Sequence, residues 1–124
     1  MKRLALLALV VMALPAAAMA GGWATVQLSS VPDGMRAGTA WNVKVTVLQH
    51  GKTPLVGAKP LITISKGAKK LAFRATPTRE LGVYRARVVF PTAGTWRYAV
   101  YDGFTEYGGA RTHTYAPVRI AQAT

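Results

Sequence analysis

The stretch Gly82–Tyr101, GVYRARVVFPTAGTWRYAVY, decides the fold of this chain. Apolar side chains occupy alternate positions through both of its halves: Tyr84, Ala86, Val88 and Phe90, then Trp96, Tyr98 and Val100. The positions between them carry Arg85, Arg87 and Val89, then Arg97, Ala99 and Tyr101. An alternation of period two is typical of half-buried strands, and PTAG is a turn sequence. The stretch therefore predicts two consecutive strands.

The same period recurs outside this stretch, and turns rich in glycine and proline separate the segments. The further predicted strands are Trp23–Ser29, Ala40–Gln49, Leu61–Ser65, Leu71–Ala75 and a final strand from Thr112 to Ala121. No segment of helix length alternates with them, so a parallel sheet with crossover helices is not expected. About seven strands at this spacing predict an all-β, antiparallel β-sandwich.

The first twenty residues have the composition of an export signal. Lys2 and Arg3 form a short positive segment, residues 4–14 are all apolar, and Ala18-Met19-Ala20 provides a small-x-small cleavage pattern. We predict a signal-peptide helix over residues 1–20 and a mature domain over residues 21–124 that is periplasmic or secreted. The alternative is an uncleaved anchor, because residues 4–20 approach the minimum length of a membrane-spanning helix.

Charge and cysteine content narrow the classes of function. The chain carries 16 Lys and Arg against four acidic residues, for a formal charge of +12, and loss of Lys2 and Arg3 lowers this by two to +10. This excess favours anionic envelope polymers or lipid head groups as partners, although it also keeps an exported protein soluble. Export argues against nucleic acid. The absence of cysteine excludes a lipoprotein anchor, thiol chemistry and Cys-based zinc sites.

Two stretches resemble a known family. Val43–Val47 followed by Gly51–Ala58 resembles the second strand and loop of many exported immunoglobulin-like domains. Gly82-Val83-Tyr84 with Phe90–Trp96 resembles their closing hairpin. Over residues 23–102 the chain is most similar to the YtkA-like group of small exported bacterial domains, related in architecture to FixH and CopC-like proteins. The resemblance implies an immunoglobulin-like sandwich at the outer face of the membrane, with a poorly defined function.

The FixH and CopC-like relatives are associated with copper handling or oxidase assembly. The CopC type carries a histidine at its mature N-terminus, whereas the predicted mature part here begins Gly21-Gly22-Trp23. The candidate metal ligands of this chain are its only two histidines, His50 and His113, with Met35 and Glu106 as further possibilities. The alternative, which we favour, is two surface histidines in loops, because the second and last strands of such a sandwich usually belong to opposite sheets. We therefore expect no cofactor, with copper as the alternative.

The residues that hydrolases and transferases use do not form a recognisable set. None of the serines lies in a G-x-S-x-G context, and the chain has four carboxylates in all. Two of these, Asp102 and Glu106, share one loop, where they are expected to offset Arg97 and Arg111. We expect that the protein is not an enzyme.

Basic residues are the first candidates for binding. They comprise a turn with Lys66, Lys69 and Lys70, and strand positions facing away from the apolar set at Arg74, Arg85, Arg87 and Arg97. Neighbouring outward rows predict one basic sheet face that attracts anionic polymer or lipid head groups. An ordinary solvated sheet face is the alternative.

An aromatic loop is the second candidate. Residues 101–109 place Tyr101, Phe104 and Tyr107 among three glycines. Exposed, these rings would recognise a partner protein; folded back, Phe104 would cap the sandwich. The sequence thus predicts a non-catalytic exported domain that binds a protein or an anionic envelope component, with periplasmic metal handling as the alternative. Membrane association is expected only through an uncleaved N-terminal segment.

Overall fold

The computed structural model describes residues 23–106 and 109–124, which form two five-stranded antiparallel sheets. The first sheet contains β1 (Ala24–Leu28), β2 (Ala40–Gln49), β3 (Thr53–Pro54), β6 (Thr76–Pro77) and β7 (Val83–Val89). The second contains β4 (Leu61–Lys66), β5 (Lys69–Arg74), β8 (Gly94–Tyr101), β9 (Thr112–Thr114) and β10 (Val118–Ile120). The predicted export segment, residues 1–20, lies outside the described residues, as does Tyr107. Within the described ranges, no helix is long and apolar enough to cross a membrane.

The order of the strands is that of an immunoglobulin-like sandwich. The first sheet runs β1-β2-β7-β6, with β3 also paired to β2, and the second runs β10-β8-β4-β5, with β9 also paired to β8. These orders match one sheet of strands A, B, E and D and a second of strands G, F and C extended by C′. The predicted all-β, antiparallel fold is therefore confirmed.

The strand count exceeds the predicted seven for two reasons. β3 and β6 are two-residue segments that the alternation could not signal. The predicted final strand is divided, because three residues from Tyr115 to Pro117 oppose only two residues of β8 between the pairs Thr114–Ala99 and Val118–Trp96. This extra residue makes a bulge, a position that suits a proline without a backbone N–H group. The Tyr115 ring stacks on Tyr98 at a centroid distance of 4.9 Å.

The core lies between the sheets and contains the inward positions predicted from the opening stretch. All seven are buried: Tyr84, Ala86, Val88, Phe90, Trp96, Tyr98 and Val100. Phe90 and Trp96 meet edge to face at 5.6 Å, a favoured geometry for aromatic rings. Val45 and Val47 of β2 and Ile62 of β4 are completely inaccessible to solvent. Burial of each such side chain contributes roughly 1.5–3 kcal/mol to folding.

The opening stretch is not a hairpin, contrary to the resemblance. β7 pairs with β2 and β6, whereas β8 pairs with β4, β9 and β10. The turn between β7 and β8 therefore carries the chain from one sheet to the other. The Trp96 indole N–H fastens this crossing by donating a hydrogen bond to the Thr92 carbonyl at 2.8 Å. Period two identifies the inward side of a strand, but it does not identify the strand's hydrogen-bonded neighbour.

Candidate functional site

The basic residues lie on two faces of the sandwich, not on one. Arg85 and Arg87 belong to β7 in the first sheet, whereas Lys70, Arg74 and Arg97 belong to β5 and β8 in the second. The outer faces of two packed sheets point in opposite directions. The prediction of a single basic sheet face is therefore wrong. Each face has to be considered on its own.

The outer face of the second sheet contains a row of two cations around a hydroxyl. The register pairs Ser65 of β4 with Lys70 of β5 on one side and with Arg97 of β8 on the other. Lys70 and Arg97 are exposed, and Ser65 is half-buried. Neighbouring strands lie about 5 Å apart, so the backbones of the two cationic residues are about 10 Å apart.

Two further rows run parallel to this one across the same face. The middle row has small side chains: Ala72, Thr63, Ala99 and Thr114. The third row has larger ones: Arg74, Leu61, Tyr101 and Thr112. Successive rows are about 7 Å apart along the strands. A low row between two higher rows makes a trench across the strands, and we call these three rows the trench.

The trench holds a depression of about 320 Å³ that has no acidic residue in its lining. The lining includes Thr63, Ser65, Thr112 and Thr114 together with Lys70 and Arg97. Among the residues that the structure describes, the one ion pair within 4 Å joins His113 and Asp102. Lys70 and Arg97 therefore have no carboxylate within salt-bridge distance in the described part of the chain. The lining of the depression therefore combines two cations that have no ion pair in the described residues with the hydroxyl groups of one serine and three threonines.

The turn between β4 and β5 adds positive charge beside the trench. Lys66 and Lys69 are both exposed in this turn. The Lys66 ammonium donates a hydrogen bond to the Ala93 carbonyl and lies 6.0 Å from the centre of the Trp96 ring. Lys66 thus also ties the turn to the start of β8, whereas Lys69 makes no such contact with the residues that the structure describes.

The first sheet presents a different basic face. Arg85 lies directly opposite Lys44 in the register, and Arg87 lies opposite Asn42. A groove of about 490 Å³ beside Arg85 also contains Arg79 and the carboxylate of Glu80. Lys44 also lines this groove, so its three cations and one carboxylate give the same net charge as Lys70 and Arg97 give the depression of the trench. The difference between the two is the Glu80 carboxylate, which repels an anion at close range, whereas the lining of the depression contains no acid.

Phe104 of the aromatic loop folds back onto the sandwich. Phe104 is only 5% exposed and belongs to the core cluster, so it caps the sandwich and offers no exposed ring to a partner. Gly103 has a φ of +69°, and a Cβ atom there would overlap the Lys59 backbone. Glycine thus permits the close approach that turns Phe104 inward. Tyr101 is half-buried in the third row of the trench.

A buried carboxylate holds the base of this loop together. Asp102 is completely inaccessible, and its oxygens accept hydrogen bonds from the Phe104 amide at 2.9 Å and the Arg111 amide at 3.3 Å. The His113 Nε2 atom lies 2.8 Å from Asp102 Oδ2, on an imidazole whose side chain is 26% exposed. Asp102 thus contacts backbone amides and an imidazole across its own loop. From the sequence we had expected its charge to offset the side chains of Arg97 and Arg111.

The candidate metal ligands Met35 and His113 lie near opposite ends of the second sheet. The Met35 carbonyl accepts a hydrogen bond from Ala121, just beyond the point where β10 meets Gly94. His113 pairs with Val100, near the other end of β8. The strand from Gly94 to Val100 is about 20 Å long, far beyond the reach of ligands to one metal ion.

The other histidine lies at the end of the first sheet. His50 follows β2, has a φ of +52°, and places its ring 4.8 Å from the Trp23 ring. In residues 23–106 and 109–124, no three His, Cys, Asp or Glu side chains group in a way that could hold a metal ion. His50, His113 and Met35 are therefore not assembled into one site.

The sequence was compared with protein-family models and with curated proteins. The model of the YtkA-like family matches residues 19–101, more than half of the chain. The chain belongs to the YtkA-like family. No curated protein matches it. The match to the YtkA-like family covers β1 to β8 and therefore most of the trench, while β9 and β10 lie beyond the matched residues.

Proposed function

We propose that this YtkA-like protein is a non-catalytic exported domain that binds an anionic component of the cell envelope through the trench. The observation that carries the proposal is the row Lys70–Ser65–Arg97, in which two exposed cations flank a hydroxyl and have no carboxylate within 4 Å among the described residues. Cations that line a depression raise the local concentration of anions.

The export part of the proposal rests on residues 1–20, whose positive, apolar and small-residue segments have the order of a signal peptide. An envelope location makes anionic lipids and polymers the abundant anions within reach. The burial of Phe104 favours an anionic component over a protein partner, because one of the three rings predicted to contact a protein lies inside the core.

Metal handling receives no comparable support. Its candidate ligands lie on different sheets or near opposite ends of one sheet. A copper titration of His50→Ala and His113→Ala variants checks this directly. Copper binding that requires both imidazoles would contradict the arrangement and restore metal handling as the function.

The test of the proposed function uses two pairs of substitutions with the same change in charge. Lys70→Ser with Arg97→Ser removes the two cations of the first row of the trench, and Lys44→Ser with Arg85→Ser removes two cations of the first sheet. Binding to an anionic polymer and to anionic lipid vesicles is measured at low and high salt. Each cation near an anionic surface contributes about 1 kcal/mol, so the trench pair is expected to weaken binding ~30-fold.

The control pair is expected to weaken binding only a few-fold, through the lower net charge. Equal losses for the two pairs would show that net charge alone attracts the anion and would overturn the proposed site. Wild-type binding that does not weaken with salt would contradict an electrostatic interaction.

A further inference from the structure

We propose that the trench takes a single extended chain of a phosphodiester polymer with small, flexible repeats, such as poly(glycerol phosphate), running across the strands. This inference rests on the proposed function and adds to it the class of ligand and its direction. Charge alone would serve equally for a flat lipid surface, so the argument depends on the shape of the trench.

The small side chains of the middle row set that shape. Thr63 and Ala99 lie at the centre of the sheet, between the row of Lys70 and Arg97 on one side and that of Leu61 and Tyr101 on the other. The backbones of the two outer rows are about 14 Å apart, twice the spacing of alternate residues in a strand. The long side chains on both sides leave room for one polymer chain without bulky groups. A flat lipid surface would rest on these side chains and would not reach the floor of the trench.

The charges follow the same direction. A chain in the trench passes Lys70 and Arg97 along one wall, and Arg74 stands opposite at the β5 end. Because the negative charges of a phosphodiester polymer lie on the chain itself, they enter the trench with it. Arginine and lysine both bind phosphate oxygens well, and arginine does so with two parallel N–H groups.

The hydroxyl groups supply the remaining contacts. Ser65 lies between the two cations of the first row, and Thr63, Thr112 and Thr114 lie along the floor and the far wall. Hydroxyl groups donate to phosphate oxygens and also accept from the hydroxyl groups of a polyol. This lining fits a polymer that alternates phosphate with an alcohol.

The experiment fills the trench without changing its charge. Ala99→Phe places a ring on the floor, and Asn42→Phe is the matched control on the outer face of the first sheet. Affinity for synthetic oligo(glycerol phosphate) is measured by calorimetry, with thermal unfolding to verify folding. We expect Ala99→Phe to weaken binding at least tenfold and Asn42→Phe to leave it within twofold. If Ala99→Phe fails to fold, Thr114→Leu at the exposed end of the floor replaces it.

Three outcomes separate this inference from the proposed function. If Ala99→Phe binds like the wild type while loss of Lys70 and Arg97 still weakens binding, the polymer does not enter the trench. This result would overturn the inference and leave the proposed function, binding of an anion by the basic residues, in place. If the protein binds anionic vesicles more tightly than the oligomer, and Ala99→Phe does not change its affinity for vesicles, the ligand is a lipid surface and the inference is overturned. If polyglutamate competes as well as the phosphodiester, the assigned class is wrong. Absence of binding to every anion would overturn both proposals.

Discussion

Replacement of Asp102 by alanine is expected to destabilise the domain more than any other change of an acidic residue. Asp102 is completely buried and accepts hydrogen bonds from two backbone amides, those of Phe104 and Arg111, as well as contacting His113. Alanine leaves these donors without their acceptor. Each unsatisfied buried donor costs about 1–3 kcal/mol.

We therefore expect Asp102→Ala to lower the free energy of unfolding by about 2–6 kcal/mol, the cost of two such donors, which is a large part of the total of roughly 5–15 kcal/mol for a small domain. Asp102→Asn keeps one carbonyl oxygen for a backbone amide, so its cost is expected to be smaller. The measurement is urea unfolding of the purified protein at neutral pH, followed by the fluorescence of buried Trp41 and Trp96.

Glu106 provides the matched control, because it is an exposed acid of the same loop. Glu106→Ala is expected to change stability by no more than about 0.5 kcal/mol. A loss below about 1 kcal/mol for Asp102→Ala would refute the reasoning, since it would mean that the amides of Phe104 and Arg111 find other acceptors at no cost.

Two further perturbations test the core and the loop. Burial raises the pKa values of Tyr98 and Tyr115, so their neutral phenols stabilise the fold below about pH 10, and this contribution is lost as the pH rises through the folded-state values. Urea unfolding at pH 8 and pH 11 measures how much free energy of unfolding is lost on going to the higher pH. This loss should be smaller for Tyr98→Phe than for the wild type, and an equal loss would contradict a raised pKa of Tyr98 in the folded state. Gly103→Ala, which places a Cβ on the Lys59 backbone, should lower the thermal midpoint far more than Gly67→Ala in open space; equal shifts would contradict the close approach.

The alternation of side chains predicted most of the fold. The inward positions of β2, β7 and β8 are buried as expected, because a strand with one face in the core must keep its apolar residues on that face. The sequence did not predict that β7 and β8 belong to different sheets. That outcome depends on which strands exchange backbone hydrogen bonds, and backbone groups are the same for all non-proline residues.

The candidate site was only partly predictable for the same reason. Arg97 was expected to face outward from a strand, and it does, whereas Lys70 was expected in a turn and lies in β5. The two residues share a row only because β4 lies between β5 and β8. The contact between Asp102 and His113 depends on how a long loop closes, and residue spacing does not determine this. The available signal was the position of Asp102 directly after one predicted strand and of His113 near the start of the next.

The central claim is that the trench, and not the first sheet, receives an anion. Titration of the isotope-labelled protein with oligo(glycerol phosphate), followed by amide chemical shifts in NMR spectra, tests it most directly. If the trench binds the oligomer, we expect the largest changes in amide chemical shift at Thr63, Ser65, Lys70, Arg97 and Ala99, and little change in β2 and β7. Shifts concentrated around Lys44 and Arg85, or spread evenly over both faces, would contradict the account.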